Sequence, residues 1–172
     1  MTFTFESAIE EAQNLLDSRT LSETEMLDRT KTLLETEAGA RGFFVVFLTG
    51  DSILADCPPG WLLSLFAKAP ELVAELLIKN LAMSTATTLA HEAQGNPEQA
   101  DGSRQVAQRT TAILKALCHP PFGPVPVLER KMRSMLQTLR DEEGPYRNFL
   151  DRWEYDSKQR QAIGHAFEKV QG

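Results

Sequence analysis

Apolar residues recur at spacings of three and four along most of the chain. That period is typical of helices with one buried face, and it predicts an all-α fold. Starts and stops are marked by Ser, Asn and Asp caps and by Gly and Pro breaks. Helices are predicted over about 5–18, 22–37 and 61–68, from Pro97 to the loop at His119, from Pro126 to Gly144, over a short stretch at 146–153, and after Asp156.

One stretch, residues 70–93, does not follow the one-sided pattern. Its first turns are amphipathic, but no charged residue occurs from Asn80 to Ala90. A helix that is apolar or small on every side usually lies inside a protein. We therefore predict a single domain over 1–172, a bundle of about seven helices around a buried central helix at 70–93. Ala69 is predicted to separate this helix from the preceding one.

The segment Gly42 to Asp51 is ambiguous. Its aromatic and β-branched residues, bounded by glycines, have the composition of a buried strand. No other segment offers a partner strand, and a lone buried strand leaves its backbone groups unpaired. We therefore favour a helix continuous with 38–41, and keep a single short strand at 43–49 as the alternative.

Several local signals fix expected boundaries. Ser22 with Glu25 matches a capping box. Gly39 is predicted to end the second helix, and Asn96 is predicted to cap the helix that begins at Pro97. Asp156 is predicted to cap the last helix.

Composition is that of an ordinary globular protein. The chain has 172 residues, 42% hydrophobic and 24% charged, so a core can form without metals or disulfides. The two cysteines, Cys57 and Cys118, are too few for a disulfide scaffold. No signal peptide or membrane-length apolar run is visible. We expect a cytoplasmic protein without a membrane partner.

Charge is distributed unevenly. Residues 1–40 hold nine acids and three bases, whereas 104–140 hold seven bases and one acid. Such asymmetry can direct association with a protein partner or a second copy. The alternative is internal pairing of the acidic N-terminal helices with the basic ones, and nucleic-acid binding is disfavoured because the whole chain is acidic. The candidate interaction residues are Arg104, Arg109, Arg130, Lys131 and Arg133.

No reaction motif is present. The chain lacks GxGxxG, GxxxxGK[ST], GxSxG, HExxH and CxxC, and the three histidines show no metal-ligand spacing. We expect no catalytic residue, no cofactor and no metal. Polar groups on the predicted central helix are the candidate ligand-binding residues, with satisfaction inside the fold as the alternative. They are Lys79, Asn80, Ser84, Thr87 and His91.

Three blocks carry a resemblance: GFFVVFLTGD at 42–51, LLIKNLAMST at 76–85 and FLDRW at 149–153. Together they resemble a family of small, mainly helical, uncharacterised cyanobacterial proteins. The resemblance implies the cytoplasm of a photosynthetic bacterium, and it implies no activity and no site residue.

Three functions remain open from the sequence. The first is a non-catalytic interaction or regulatory protein that works through partner contacts or as a homodimer, as the segregated charge suggests. The second is a small-molecule binder or enzyme with a pocket beside the central helix. The third is nucleic-acid binding through 104–140.

Overall fold

The computed structural model describes residues 2–68 and 70–172, with Pro70 described by its backbone alone. Within these residues the chain is all-α, with ten helices and no strand. The helices are α1 (Phe5–Leu16), α2 (Glu23–Leu34), α3 (Glu37–Thr49), α4 (Ile53–Asp56), α5 (Gly60–Lys68), α6 (Pro70–Ala93), α7 (Pro97–Cys118), α8 (Pro126–Asp141), α9 (Arg147–Arg152) and α10 (Ser157–Gln171). The predicted break at Ala69 lies outside the described residues.

The first three helices pack on one another. The side chain of Ser22 accepts a hydrogen bond from the Glu25 amide, and the Glu25 carboxylate accepts one from the Ser22 amide, so the predicted capping box is confirmed. A Cβ on Gly42 would lie 2.5 Å from the Cβ of Ala8, so only glycine lets α1 approach α3 this closely. This contact is what brings α1 against α3.

The ambiguous segment is a helix, and the strand alternative at 43–49 is wrong. It continues from Glu37 to Thr49 as α3 and buries Phe43, Phe44 and Phe47. Their rings pack with Phe66 of α5, with centroid separations of 5.2 Å from Phe43 to Phe47 and 5.3 Å from Phe44 to Phe66. The aromatic residues that suggested a strand are therefore core residues, and a helix buries them equally well.

Helix α6 lies at the centre, in contact with α3, α5, α7, α8 and α10. Its predicted bounds are confirmed, and its first half is well buried, with Leu77 and Ile78 fully enclosed. The prediction of burial on every side is wrong for the second half. From Thr87 to His91 each side chain is only partly buried, so the described helices leave this part of α6 partly uncovered.

Three local predictions are corrected. Gly39 does not end α2. It lies in the first turn of α3, after a cap in which its amide donates to the Thr36 hydroxyl. Asn96 precedes α7, but its side chain makes no capping hydrogen bond. The cap of α10 by Asp156 is confirmed.

Buried side chains from Ala8 in α1 to Val170 in α10 form one cluster. Among the described residues, no helix is both long enough and apolar enough to cross a bilayer.

Candidate functional site

An open groove runs along the uncovered flank of α6. It has a volume of about 630 Å³ and lies between α6, α7 and α10. On α6 it extends from Leu81 to Glu92, about 16 Å along the helix axis at 1.5 Å per residue. The groove follows one stripe of each helix, because residues three and four apart share a face.

Small side chains keep the groove open. Ala107 and Ala112 line it on α7, and Ala162 and Ala166 line it on α10. A methyl group at these positions leaves space between the helices that a leucine or phenylalanine would fill. The floor is Leu81, of which only 1% is exposed.

Hydroxyls in the groove are largely used by the helices themselves. The Thr88 hydroxyl donates to the Ser84 carbonyl at 2.8 Å, and the Thr111 hydroxyl donates to the Ala107 carbonyl at 2.8 Å. Threonines bonded in this way no longer need a polar partner from outside. The lining is therefore mainly apolar in character.

The two ends of the groove differ in charge. At one end Arg104 is neutralised by Glu92, at 2.6 Å, and by Asp101. At the other end lie Lys115 and Lys169, both exposed and, among the described residues, with no carboxylate within 4.0 Å. Cys118 and Gln171 line one small cavity nearby, which shows that the C-terminal ends of α7 and α10 meet there.

Four of the five predicted ligand residues, Asn80, Ser84, Thr87 and His91, lie on a neighbouring face of α6. The Ser84 hydroxyl donates to the Asn80 carbonyl at 2.6 Å, and the Thr87 hydroxyl donates to the Met83 carbonyl at 2.7 Å. His91 is partly buried, and its Nδ1 has no hydrogen-bond partner among the described residues. The groove itself uses the adjacent stripe, so ligand binding by the predicted set stays a prediction.

The predicted interaction residues do not form one exposed basic face. Arg109 is 4% exposed, and its guanidinium bonds the Leu48 and Gly50 carbonyls at 2.9 and 2.7 Å and Asp56 at 2.7 Å. These bonds connect α7, which carries Arg109, to the end of α3 and to α4. Arg133 is exposed beside a small cavity that Cys118 also lines.

The other basic residues pair with acids inside the chain. Arg130 contacts Glu71 at 2.8 Å, and Lys131 contacts Glu75 at 2.8 Å. Pairing of these basic residues with acids inside the chain was one of the two alternatives. The acids that they contact, however, are not those of the N-terminal helices, as had been expected. The acids come from residues 56–101, whereas α1 and α2 pack on α3 and, for α2, on α5.

A second, smaller cleft of about 300 Å³ lies where α6 meets α9. Glu75 is its central anion and accepts hydrogen bonds from Lys79 at 2.9 Å, from Lys131 at 2.8 Å and from the Tyr146 hydroxyl at 3.0 Å. Burial raises the pKa of the Glu75 carboxyl, but the bonds from Lys131 and Lys79 outweigh it, so the net pKa is lowered. Burial, followed by the nearby Glu75 charge, raises the pKa of the Tyr146 phenol.

The cleft also holds the aromatic residues of α9. The Lys79 ammonium lies 5.7 Å from the centre of the Phe149 ring, within cation–π range. Trp153 follows at the end of α9 and is 50% exposed. Of the predicted ligand residues, Lys79 is the one that this cleft includes, and Arg152, Trp153 and Phe149 were missed because their distance in sequence hides the contact.

The groove was missed for a different reason. Its signal is an alanine and threonine stripe at positions 107, 111, 112, 162 and 166, which composition alone does not distinguish from ordinary close helix packing. Among the described residues, no group of three or more histidine, cysteine or acidic side chains is placed to hold a metal ion.

The model of the family described as Uncharacterised conserved protein UCP020893 matches residues 4–170. No curated protein and no solved structure matches the chain.

Proposed function

Since the chain belongs to this uncharacterised conserved family, whose description carries no activity, we propose a function from the groove alone. The protein is a non-catalytic interaction protein, and its groove takes an amphipathic helix of a different protein. The apolar side of that helix lies between α7 and α10, and its acidic side meets Lys115 and Lys169. The observation that carries the proposal is an apolar groove that ends at two lysines with no carboxylate partner in the part of the chain that the structure describes.

The dimensions support a helical occupant. A length of about 16 Å corresponds to about three turns of helix. Apolar grooves between helices are a recurring binding mode for amphipathic helices, which contribute side chains at i, i+3, i+4 and i+7. The alanine lining supports this further, because small side chains let a partner backbone come close.

Charge supports an acidic partner rather than a neutral one. Lys115 and Lys169 lie at one end of the groove without carboxylates within 4.0 Å among the described residues. The chain itself offers no good occupant, because the amphipathic helices in the part described use their apolar faces in its own core. A second copy is therefore disfavoured, and the predicted homodimer becomes an outcome that the experiment distinguishes.

The other hypotheses have less support. Arg104, Arg109, Arg130 and Lys131 all bond to acids within the chain, which reduces the basic surface open to a nucleic acid. An enzyme is disfavoured because the chain lacks reaction motifs. The cyanobacterial source and the cytoplasmic location that the sequence implied belong to the proposal as its cellular setting.

Site-specific cross-linking tests the proposal. A photoreactive phenylalanine derivative replaces Ala112, an exposed residue of the groove wall, in cells of the source organism, and the linked peptide is identified by mass spectrometry. We expect a segment of another protein with a helical apolar period and several acidic residues. The same substitution at Gln13, exposed on α1, which contributes no residue to the groove, is the control and should not capture it.

Charge reversal then tests the lysines. With the captured segment as a labelled peptide, Lys115→Glu with Lys169→Glu should weaken binding at least tenfold, about 1.4 kcal/mol. Capture of a second copy of this chain, of a segment without acidic residues, or of nothing would contradict the proposal. Equal affinity of the double variant would contradict the role of the lysines.

A further inference from the structure

From the cleft between α6 and α9 we infer a second binding site, for a small planar aromatic anion. The ring stacks on the exposed indole of Trp153, and the negative group lies between Lys79 and Arg152. This site is separate from the groove and does not depend on the proposed protein partner. Carboxylate and phosphate forms of such a ligand share the recognising chemistry, and the experiment distinguishes them.

The balance of charge in the cleft favours an anion. Glu75 contributes one negative charge and is already bonded to Lys79, Lys131 and Tyr146. Arg152 is exposed at the rim and, among the described residues, has no carboxylate within 4.0 Å. The lining of the cleft therefore has two cations, Lys79 and Arg152, and one carboxylate, Glu75. Lys131, outside the lining, is shared between Glu75 and Glu71, so the cleft keeps an excess of one positive charge, which an anionic ligand would balance.

Lys79 is positioned but not fully used. Its ammonium donates to Glu75 at 2.9 Å and lies over the Phe149 ring at 5.7 Å, and 39% of its side chain is exposed. An ammonium group has three donors. The Glu75 bond uses one of them and fixes the group beside the cleft, where the remaining donors are free for a ligand oxygen.

Aromatic surface supplies the second element of recognition. Trp153 is 50% exposed, one of three large apolar side chains with such exposure among the described residues. Phe149 is held on its far side by an edge contact with Tyr155, at a centroid distance of 6.3 Å. Flat rings with a cation alongside are how proteins hold planar anions, through stacking and charge together.

The walls of the cleft are held in place before any ligand binds. Tyr146 is 4% exposed, and its hydroxyl donates to Glu75 at 3.0 Å, which joins the start of α9 to α6. Gly144 approaches Thr138 so closely that a Cβ would lie 2.5 Å from the Thr138 hydroxyl oxygen. A rigid site loses less freedom on binding. The volume of about 300 Å³ admits one ring system with one acidic group.

Trp153 provides the readout. The chain has two tryptophans, so Trp61→Phe leaves Trp153 as the only indole. Adenosine 5′-monophosphate and adenosine-5′-carboxylate, which share one ring and differ in the anionic group, are titrated separately, with quenching of Trp153 fluorescence and calorimetry as the two measurements. We expect at least one of them to bind with a dissociation constant below 1 mM, and the one that binds more tightly identifies the anionic group. Adenosine and inorganic phosphate alone should each bind at least tenfold more weakly than the better probe.

A matched pair of arginines on α9 provides the control. Arg152→Gln should weaken calorimetric binding of the better probe at least tenfold. Arg147→Gln should leave it unchanged, because Arg147 pairs with Glu143 and Asp151 and does not line the cleft. The inference is overturned if neither probe binds below 1 mM, if phosphate alone binds as tightly as the nucleotide, or if both arginine variants lose binding equally.

Discussion

Two regions of this molecule lie between helices, but side chains fill the first and leave an open groove in the second. Between α3 and α5 the rings of Phe43, Phe44, Phe47 and Phe66 are at most 1% exposed and touch one another. Between α6, α7 and α10 seven of the fifteen facing residues are alanine or threonine, and a groove of about 630 Å³ remains. The helices of both regions are well formed, so helix formation is not what distinguishes them.

The difference teaches that side-chain volume decides whether neighbouring helices enclose a core or a binding surface. Four phenylalanines occupy the space between their helices at the density of a packed interior. Alanines on the facing sides of α7 and α10 leave a groove that is open at the surface. Both regions share α7, whose Arg109 faces the first region and whose Arg104 faces the second.

The largest expected effect comes from placing a charge on α6, either at a buried position or at a position that lines the groove. Leu77→Asp should abolish folding, because Leu77 is fully buried and the carboxylate would have no partner. Leu89→Asp, in the groove and only partly buried, should keep the fold and lower the melting temperature by a few degrees. Circular dichroism melts compare the two, and similar melts would contradict the distinction between filled and open regions.

Changing side-chain volume should have the next largest effect. Phe43→Ala removes a fully buried ring and should cost about 3–5 kcal/mol of unfolding free energy. Ala166→Phe adds a ring where the groove has room, so we expect a change within about 1 kcal/mol and loss of partner binding. Urea unfolding measures both. A cost above about 3 kcal/mol for Ala166→Phe would mean that the groove is not open in solution.

Two arginines on α7 sharpen the comparison with a smaller effect. Arg109→Gln leaves the Leu48 and Gly50 carbonyls without their buried donor and should cost about 2–3 kcal/mol. Arg104→Gln removes exposed ion pairs to Glu92 and Asp101 and should cost less than about 1 kcal/mol. Equal losses of unfolding free energy for the two variants in urea would show that the buried hydrogen bonds of Arg109 do not stabilise the fold.

Much of the fold follows from local sequence. The capping box at Ser22, the cap at Asp156 and the bounds of α6 from Pro70 to Ala93 are all confirmed. These features depend on residues within one or two turns, so the sequence determines them directly. The helix at 43–49 followed from a different kind of reasoning: its own composition favoured a strand, and helix was preferred because no other segment of the sequence offers a partner strand.

The candidate sites depend on contacts between distant residues. Lys79 meets Phe149, and Arg109 meets Gly50, across stretches of chain that no local pattern connects. Gly39 was wrongly predicted to end a helix for a local reason: Thr36 caps the start of α3, and its hydroxyl accepts a hydrogen bond from the Gly39 amide.

The sequence by itself therefore determined where the longer helices lie and which face of most of them is apolar, but it did not predict the four-residue α4 at Ile53–Asp56. Only the tertiary structure decided where those faces meet fully and where small side chains leave the flank of α6 uncovered. The physical reason is the separation along the chain over which each kind of interaction acts. Caps, period and backbone pairing act within a few residues, whereas packing and charge pairing depend on which helices the fold brings together.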